Sequence, residues 1–139
     1  MVNAMLLRIH QSGQILAMSD ERFELIREGI SCYKEMRGAI KDAVPIFPLG
    51  FSKYTSPWPC LGLVCENEKK IYLAVWRRNS KEDAIQIPIA GHLGQMLYMR
   101  QIYPLAEEYQ ALCQWNPMRG ACSVKLKKEN TARLFVLEW

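Results

Sequence analysis

Apolar residues between Lys70 and Arg78 predict a β-strand around which the rest of the chain can be organised. The segment is rich in β-branched and aromatic residues, and Asn79-Ser80 supplies a turn directly after it. Successive side chains of a strand point to opposite faces of the sheet. Here both the odd-numbered and the even-numbered positions are apolar. The pattern therefore predicts a strand in the middle of a sheet, with a covering layer on each face.

An amphipathic pattern upstream predicts one long helix over Ser19–Asp42. Ser19 is suited to the N-cap, and carboxylates at positions 20 and 21 suit the positive end of the helix. The helix is expected to end before Pro45, because the residue that precedes a proline disfavours the helical backbone. Apolar residues recur at steps of three and four along about six turns. They are Phe23, Ile26, Ile30, Tyr33, Met36 and Ile40.

After residue 45 the chain changes to short apolar segments separated by turn residues. Their spacing of about ten residues is typical of an antiparallel β-sandwich. Pro88 is expected at a sheet edge or at a strand end, because proline cannot donate a ladder hydrogen bond. The candidate strands are Ile46–Tyr54, Cys60–Cys65, Lys70–Arg78, Ala84–Ile89, Gln95–Tyr103, Gln110–Trp115, Cys122–Lys127 and Ala132–Trp139.

The two halves of the chain predict a domain boundary at about residue 44. Residues 1–44 contain a short apolar run, Met5–His10, interpreted as a buried strand, followed by the long helix. A single strand and one amphipathic helix cannot complete a layered core by themselves. They are typical of the last β/α unit of a larger protein, whereas residues 45–139 form a mainly β, antiparallel sandwich domain.

Composition narrows the class of protein. Half of the 139 residues are hydrophobic, enough for a folded core. No apolar run is long enough to span a bilayer, and residues 1–7 lack the features of a signal peptide, so a cytoplasmic protein without a membrane partner is expected. The net charge of +4 comes from scattered pairs of basic residues. A nucleic-acid-binding protein would gather them on one element, so no nucleic-acid partner is predicted.

Metal and catalytic motifs are not found in the sequence. The five cysteines contain no Cys-x-x-Cys pair, and His10 and His92 are far apart, which predicts free thiols and no metal or cofactor. Neither a Gly-rich phosphate loop nor a Gly-x-Ser-x-Gly motif is present. Paired carboxylates are explained by the helix start and by solvated loops. Three aromatic residues beside loops leave two interpretations open, a sugar-stacking platform or the core: Tyr54, Trp58 and Trp115.

Several stretches, in order and at matching approximate spacing, resemble the C-terminal end of glycoside hydrolase family 36, the bacterial α-galactosidases. The segment 25–37 is similar to the last barrel helix of that family, and 46–51 to the entry into its C-terminal domain. The further matching stretches are Trp58 with Leu61-Gly-Leu63, Tyr72–Arg78, Ile102-Tyr-Pro104 and Asn130–Phe135. Together they extend from about Leu7 to the end of the chain.

The resemblance implies that Leu6–His10 and Ser19–Asp42 are the last strand and helix of a (β/α)8 barrel, followed by the sandwich. Family members are retaining enzymes that release terminal α-galactose, as from melibiose or raffinose, with two catalytic aspartates on earlier barrel strands. No position of this chain matches either aspartate, so no catalytic residue is assigned, and the chain alone is expected to be inactive.

Three residues and three partners follow from the resemblance. Gln11, Ser12 and Gly13 would lie at the carboxyl end of the last strand, where barrel active sites are found. The expected partners are the catalytic barrel of a parent enzyme, an α-galactoside bound through that barrel, and a second copy of the chain, since an uncovered helix promotes self-association. The alternative is a stand-alone carbohydrate-binding or protein-interaction sandwich.

Overall fold

In the part of the chain that the structure describes, eight β-strands form two antiparallel sheets. The computed structural model describes residues 1–10, 13 and 17–139. One sheet has five strands in the order β1-β2-β3-β8-β5, and the other has three in the order β4-β7-β6. The elements are α1 Val2–Met5, α2 Asp20–Ile40, β1 Val44–Ile46, β2 Cys60–Cys65, β3 Lys70–Arg77, β4 Ala84–Pro88, β5 Tyr98–Tyr103, β6 Leu112–Asn116, β7 Ala121–Lys125 and β8 Thr131–Glu138. The prediction of a mainly β, antiparallel sandwich is confirmed.

Of the eight strands predicted between Ile46 and Trp139, seven lie within a few residues of their observed positions, and the prediction for Ile46–Tyr54 is wrong. Residues 47–54, predicted as strand, form a loop after β1. Gly50 closes a turn by donating its N–H to the carbonyl of Phe47 at 2.9 Å, with a positive φ of 76°. Such a φ favours glycine and interrupts a strand. Pro88 is the last residue of β4, which is an edge strand, as predicted.

Strand β3 occupies the middle of the five-stranded sheet, and both of its faces are covered, as the apolar pattern predicts. Ile71, Leu73 and Val75 belong to the core between the two sheets. Tyr72 and Ala74 belong to a second core on the other face of this sheet, which they share with residues of α1 and α2. We call this second core the outer core. The layer that covers the outer face is therefore made of the chain's own helices.

The strand predicted at Leu6–His10 is wrong. Residues 2–5 form the short helix α1, and residues 6–10 contain no strand. Met5 and Leu6 are buried in the outer core together with Val2. A strand here would need a neighbouring strand to satisfy its backbone hydrogen bonds. In α1 and the turn after it, local bonds do this, from the N–H of Ala4 to the carbonyl of Met1 at 2.9 Å and from Leu7 to Ala4 at 3.1 Å.

Helix α2 begins and ends as predicted, but a different face meets the sheet. Its N-cap is Ser19, whose side chain accepts from the N–H of Arg22. Gly29 and Met36 are buried, and Cys32 packs against the outer core. At Gly29 an added Cβ would lie 3.0 Å from the side chain of Met1, so this glycine permits close packing. With Ile40, these residues lie along the sheet side of the helix.

The apolar stripe predicted for α2 is therefore only partly the buried face. Of its six residues, Met36 is buried, and Ile40 is half-buried against the outer core. Phe23 is 46% exposed, while Ile26 and Ile30 are half-buried. At 3.6 residues per turn, the stripe of residues 23, 26, 30 and 33 lies about 100° around the axis from the sheet-facing side. We call these four residues the outer stripe.

Helix and sheet share one core, but whether residues 1–44 and 45–139 are separate domains stays a prediction. No helix in the part of the chain that the structure describes has the length and apolarity needed to span a bilayer. The cytoplasmic location also stays a prediction.

Candidate functional site

Tyr54 is the one aromatic of the predicted platform that lies at the surface. It is 94% exposed on the loop between β1 and β2. The guanidinium of Arg78 lies 6.0 Å from the centre of its ring, within the range of a cation–π contact, and also donates to the carbonyl of Tyr54. Arg78 thus fixes the position of this loop, and sugar stacking on Tyr54 stays a prediction.

Trp58 and Trp115 lie in the core between the two sheets. Each is only 7% exposed. The indole N–H of Trp58 donates to the hydroxyl of Ser80 at 2.9 Å, and that of Trp115 to the carbonyl of Gln95 at 2.8 Å. Such internal partners are typical of buried indoles. Sugar stacking needs a ring face that solvent can reach, so in this structure both residues serve the core.

The residues predicted for the substrate rim are described only in part. Gly13 is exposed and has a φ of +112°, which favours glycine. Gln11 and Ser12 lie outside the described residues. The proposed role of these three residues near a sugar stays a prediction.

Sequence reasoning missed an aromatic hollow on the loop that carries Tyr54. It has a volume of about 230 Å³ and is lined in part by Phe47, Phe51 and Trp76. The rings of Phe47 and Phe51 lie 4.4 Å apart between centroids, and the indole N–H of Trp76 donates to the side-chain oxygen of Asn3 at 2.7 Å. Three prolines and Gly50 within residues 47–59 are the sequence signal that these rings belong to a loop.

A charged cleft of about 250 Å³ lies between α2 and the five-stranded sheet. The Lys70 ammonium is 3.4 Å from one carboxylate oxygen of Glu138, and Nε of Arg100 is 3.8 Å from the other. Glu28 and Glu35 line the helix side. These groups were not singled out in the sequence, because only the packing of α2 on the sheet brings them together.

The thiol that lines the cleft, that of Cys32, is not an activated nucleophile. Burial, together with the nearby carboxylates of Glu35 and Glu28, raises the pKa of Cys32 to about 11. At neutral pH this thiol is protonated, and the thiolate is the reactive form. All five cysteines are unpaired in the structure. No group of three or more His, Cys, Asp or Glu side chains in the described part of the chain is arranged to hold a metal ion.

Three hydrogen bonds attach α2 to β5 and to the turn that follows it. The hydroxyl of Tyr103 donates to the carbonyl of Leu25 at 3.0 Å. The backbone N–H of Leu105 donates to the carboxylate of Glu28 at 2.7 Å. The hydroxyl of Tyr109 donates to the carboxylate of Glu21 at 2.8 Å. These bonds fix the first half of the helix on the sandwich and so set the direction of the outer stripe.

Alkaline pH is expected to destabilise the fold. Burial raises the pKa of Tyr72 and of Tyr103 from 10.0 to about 12, and the hydrogen bond to Glu21 raises that of Tyr109 to about 12. Between pH 10 and about pH 12, the folded protein keeps phenol protons that the unfolded chain has released. The stabilisation is therefore complete below the unfolded pKa and is lost as the pH rises through the folded value. Urea unfolding at about pH 8 and about pH 11 measures the loss.

The matched control is Tyr103→Phe, which removes one of the three phenols and keeps the ring. Between about pH 8 and about pH 11, the urea midpoint of this variant is expected to fall less than the urea midpoint of the wild type. A wild-type midpoint that does not move over this range would contradict the assignment.

Comparison with known proteins shows the fold alone. No protein-family model matches the chain, and no curated protein matches it. Among solved structures, the chain is similar to the galactosidase domain of an α-galactosidase–sucrose kinase, AgaSK, with a TM-score of 0.63, 16% identity and coverage of 88% of this chain. The chain spans 17% of the length of that structure. The chain therefore has a galactosidase-related fold.

Proposed function

We propose that the chain is the C-terminal, accessory part of a retaining α-galactosidase of glycoside hydrolase family 36, which acts on terminal α-galactosides such as melibiose and raffinose. Its role is to cover and stabilise a catalytic barrel that supplies the reacting groups. The similarity of the fold to a galactosidase domain supports this proposal, as does the resemblance of motifs along nearly the whole chain. The outer stripe of α2 also supports it.

The outer stripe gives α2 a second apolar side. Met36 and Cys32 already pack on the sheet, whereas Phe23, Ile26 and Ile30 lie along a different side of the helix. A surface helix of an isolated domain has one apolar face and a polar opposite face. An additional apolar stripe is expected where a further layer packs. In a (β/α)8 barrel, the helices pack on the barrel strands, so a barrel is the layer that fits.

The energy available from this stripe is sufficient for docking within one chain. Burying a whole Phe or Ile side chain contributes roughly 1.5–3 kcal/mol. Three side chains that are already about half-buried would therefore contribute about 3 kcal/mol, or about a hundredfold in an equilibrium constant. A barrel connected to α2 by the chain itself would dock with this gain and without the entropic cost of bringing two molecules together.

The chemistry of the reaction would come from the barrel. A retaining glycosidase needs one carboxylate to attack the anomeric carbon and a second to protonate the leaving oxygen and then activate water, about 5 Å apart. In this chain two of the cleft carboxylates have structural partners, with Glu28 accepting from the N–H of Leu105 and Glu138 facing Lys70 and Arg100. The proposed contribution of the chain is to hold the last barrel helix in position.

The native form of the protein in its source cells tests this proposal. An antibody against residues 45–139 is used to precipitate the protein, which is sized on a denaturing gel and assayed with a chromogenic α-galactoside. We expect a species several times heavier than 16.1 kDa that hydrolyses the substrate. The purified 139-residue chain is the control and is expected to be inactive. A native species of the chain's own mass, or a heavier one without α-galactosidase activity, would overturn the proposal.

A further inference from the structure

A second, mostly apolar hollow of about 520 Å³ opens on one flank of the sandwich. It lies between the end of β1, residue Val64 of β2, the loop after β4 and the turn that precedes β7. Its apolar lining includes Ile46, Phe47, Val64, Ile89 and Leu93. Leu93 and Phe47 are exposed at its mouth. The hollow thus brings part of the core to the surface.

On the opposite flank of the sandwich, a polar side chain connects the two sheets. There the side chain of Gln101 on β5 accepts from the N–H of Ala111 at 2.9 Å and donates to the carbonyl of Tyr109 at 3.2 Å. These bonds connect β5 to the segment that enters β6. Among the described residues that line the hollow, no such polar side chain crosses between the two sheets.

The rim of the hollow is cationic. Arg119 and His92 line it, and no carboxylate does among the residues that the structure describes. Arg119 is exposed, and its guanidinium lies within 4.0 Å of no described carboxylate oxygen. Nδ1 of His92 lies 2.8 Å from the amide oxygen of Gln95, and its ring meets that of Trp139 edge-on at 4.8 Å. The imidazole is thus held at the rim.

The turn that carries Arg119 is fixed to the loop that forms the other wall. The N–H of Ile89 donates to the carbonyl of Gly120 at 2.8 Å, and that of Gly94 to the carbonyl of Pro117 at 2.9 Å. Gly120 has a φ of +55°, and an added Cβ there would lie 3.1 Å from Cα of Leu93. Close packing at this glycine keeps the cationic rim next to the apolar wall.

We propose that this hollow binds a compact organic anion, with an aromatic or aliphatic body in the hollow and one carboxylate or sulfonate at Arg119. A volume of this size falls within the range of small-molecule pockets, about 300–1,000 Å³, and apolar walls with a few convergent polar groups are typical of them. A guanidinium binds such an anionic group through paired N–H donors. The inference stands on the hollow alone and does not depend on the proposed α-galactosidase role.

Titration with 1-anilinonaphthalene-8-sulfonate, whose fluorescence rises in apolar surroundings, tests the proposal. The wild type is expected to show saturable binding at one site. Arg119→Gln is expected to weaken that binding about tenfold, as suits the loss of one charge-assisted contact. The uncharged analogue N-phenyl-1-naphthylamine has no sulfonate for Arg119 to contact. It should therefore bind the wild type and Arg119→Gln with the same affinity.

The matched control is Arg37→Gln, which removes an exposed arginine of α2 that does not line the hollow. It should leave the affinity unchanged. A second variant, Leu93→Asp, places a carboxylate at the exposed mouth. It should weaken the binding of the anionic dye more than the binding of the uncharged analogue. Backbone amide shifts of Gly91 and Gly120 on titration locate the site by NMR. Equal affinity of Arg119→Gln and Arg37→Gln, or shifts confined to α2, would overturn the proposal.

Discussion

Replacing Arg77 with alanine is expected to lower the free energy of unfolding by about 3 kcal/mol. The side chain is only 6% exposed, although it is charged. Its Nη1 donates to the carbonyls of Leu126 and Lys127 at 2.7 and 2.9 Å, and its Nη2 to the carbonyl of Ser80 at 2.9 Å. One guanidinium therefore connects the turn after β3 to the segment between β7 and β8. Its removal leaves carbonyls in and near the core without a donor.

The size of this effect follows from the balance at the site. Removing one partner of a buried charged contact costs about 3–5 kcal/mol. The carboxylate of Glu129, 3.8 Å from Nη2, is about half-exposed, and the buried Nε of Arg77 has no hydrogen-bond partner among the described residues. Because of both features, we expect the loss of unfolding free energy to lie at the lower end of this range. Urea unfolding followed by tryptophan fluorescence measures it.

The neighbouring arginine supplies the matched control. Arg78→Ala removes the same side chain one position along, where its bonds go to carbonyls of the exposed loop at residues 53 and 54. We expect a loss below about 1 kcal/mol there. Arg77→Lys should remain well below the wild type, since a single ammonium cannot reproduce the planar fork of donors. Equal losses for the Arg77 and Arg78 variants would show that the buried network contributes little.

Phe135→Ala is expected to cost about 4 kcal/mol, the typical value for removing a buried aromatic ring. Phe135 is fully buried between the two sheets, whereas its neighbour Leu134 is fully buried beneath the helices. Leu134→Ala should cost about 3 kcal/mol. Because β8 contributes to both cores, we expect both variants to unfold in a single transition, measured alike by circular dichroism at 222 nm and by tryptophan fluorescence.

The same experiment tests the domain boundary predicted at residue 44. If residues 1–44 fold separately from residues 45–139, then Leu134→Ala would lower the helical transition alone and the two signals would separate. Leu112→Ala is the control, since Leu112 is exposed on β6. Its expected effect is about 0.5 kcal/mol or less.

Strands were predictable because turn residues separate them and their apolar residues suit a sheet, as at β3. The strand predicted at Leu6–His10 was wrong because a short apolar segment is compatible with a strand or with a helical turn, and periodicity cannot distinguish them. In α2 the apolar residues cover a wide arc. The sequence predicts an amphipathic helix, but the small residue Gly29 and the position of the sheet decide which side is buried.

The candidate sites depended on contacts that a single sequence does not reveal. Trp58 and Trp115 stand beside loops in the sequence, yet their indole N–H groups find partners 22 and 20 residues away. The anion-binding hollow combines β1, β2, the loop after β4 and the turn at Arg119. Nothing local in these segments marks them as neighbours, because the sandwich topology alone brings them together. Tyr54, exposed as a loop residue should be, stays a prediction as a sugar contact.

The position of Pro88 also bears on how copies of the protein meet. Ile87 pairs with Cys122 of β7, and the N–H of Ile89 donates to the carbonyl of Gly120. In an antiparallel pair the backbone N–H and C=O groups of alternate residues point to the same side of the strand. Because those of Ile87 and Ile89 point toward β7, the nitrogen of Pro88 between them points away from β7. It carries no N–H, and a strand from another molecule would find no donor there. The end of β4 beside the hollow is thereby protected against edge-to-edge aggregation, which leaves the mouth accessible to small solutes.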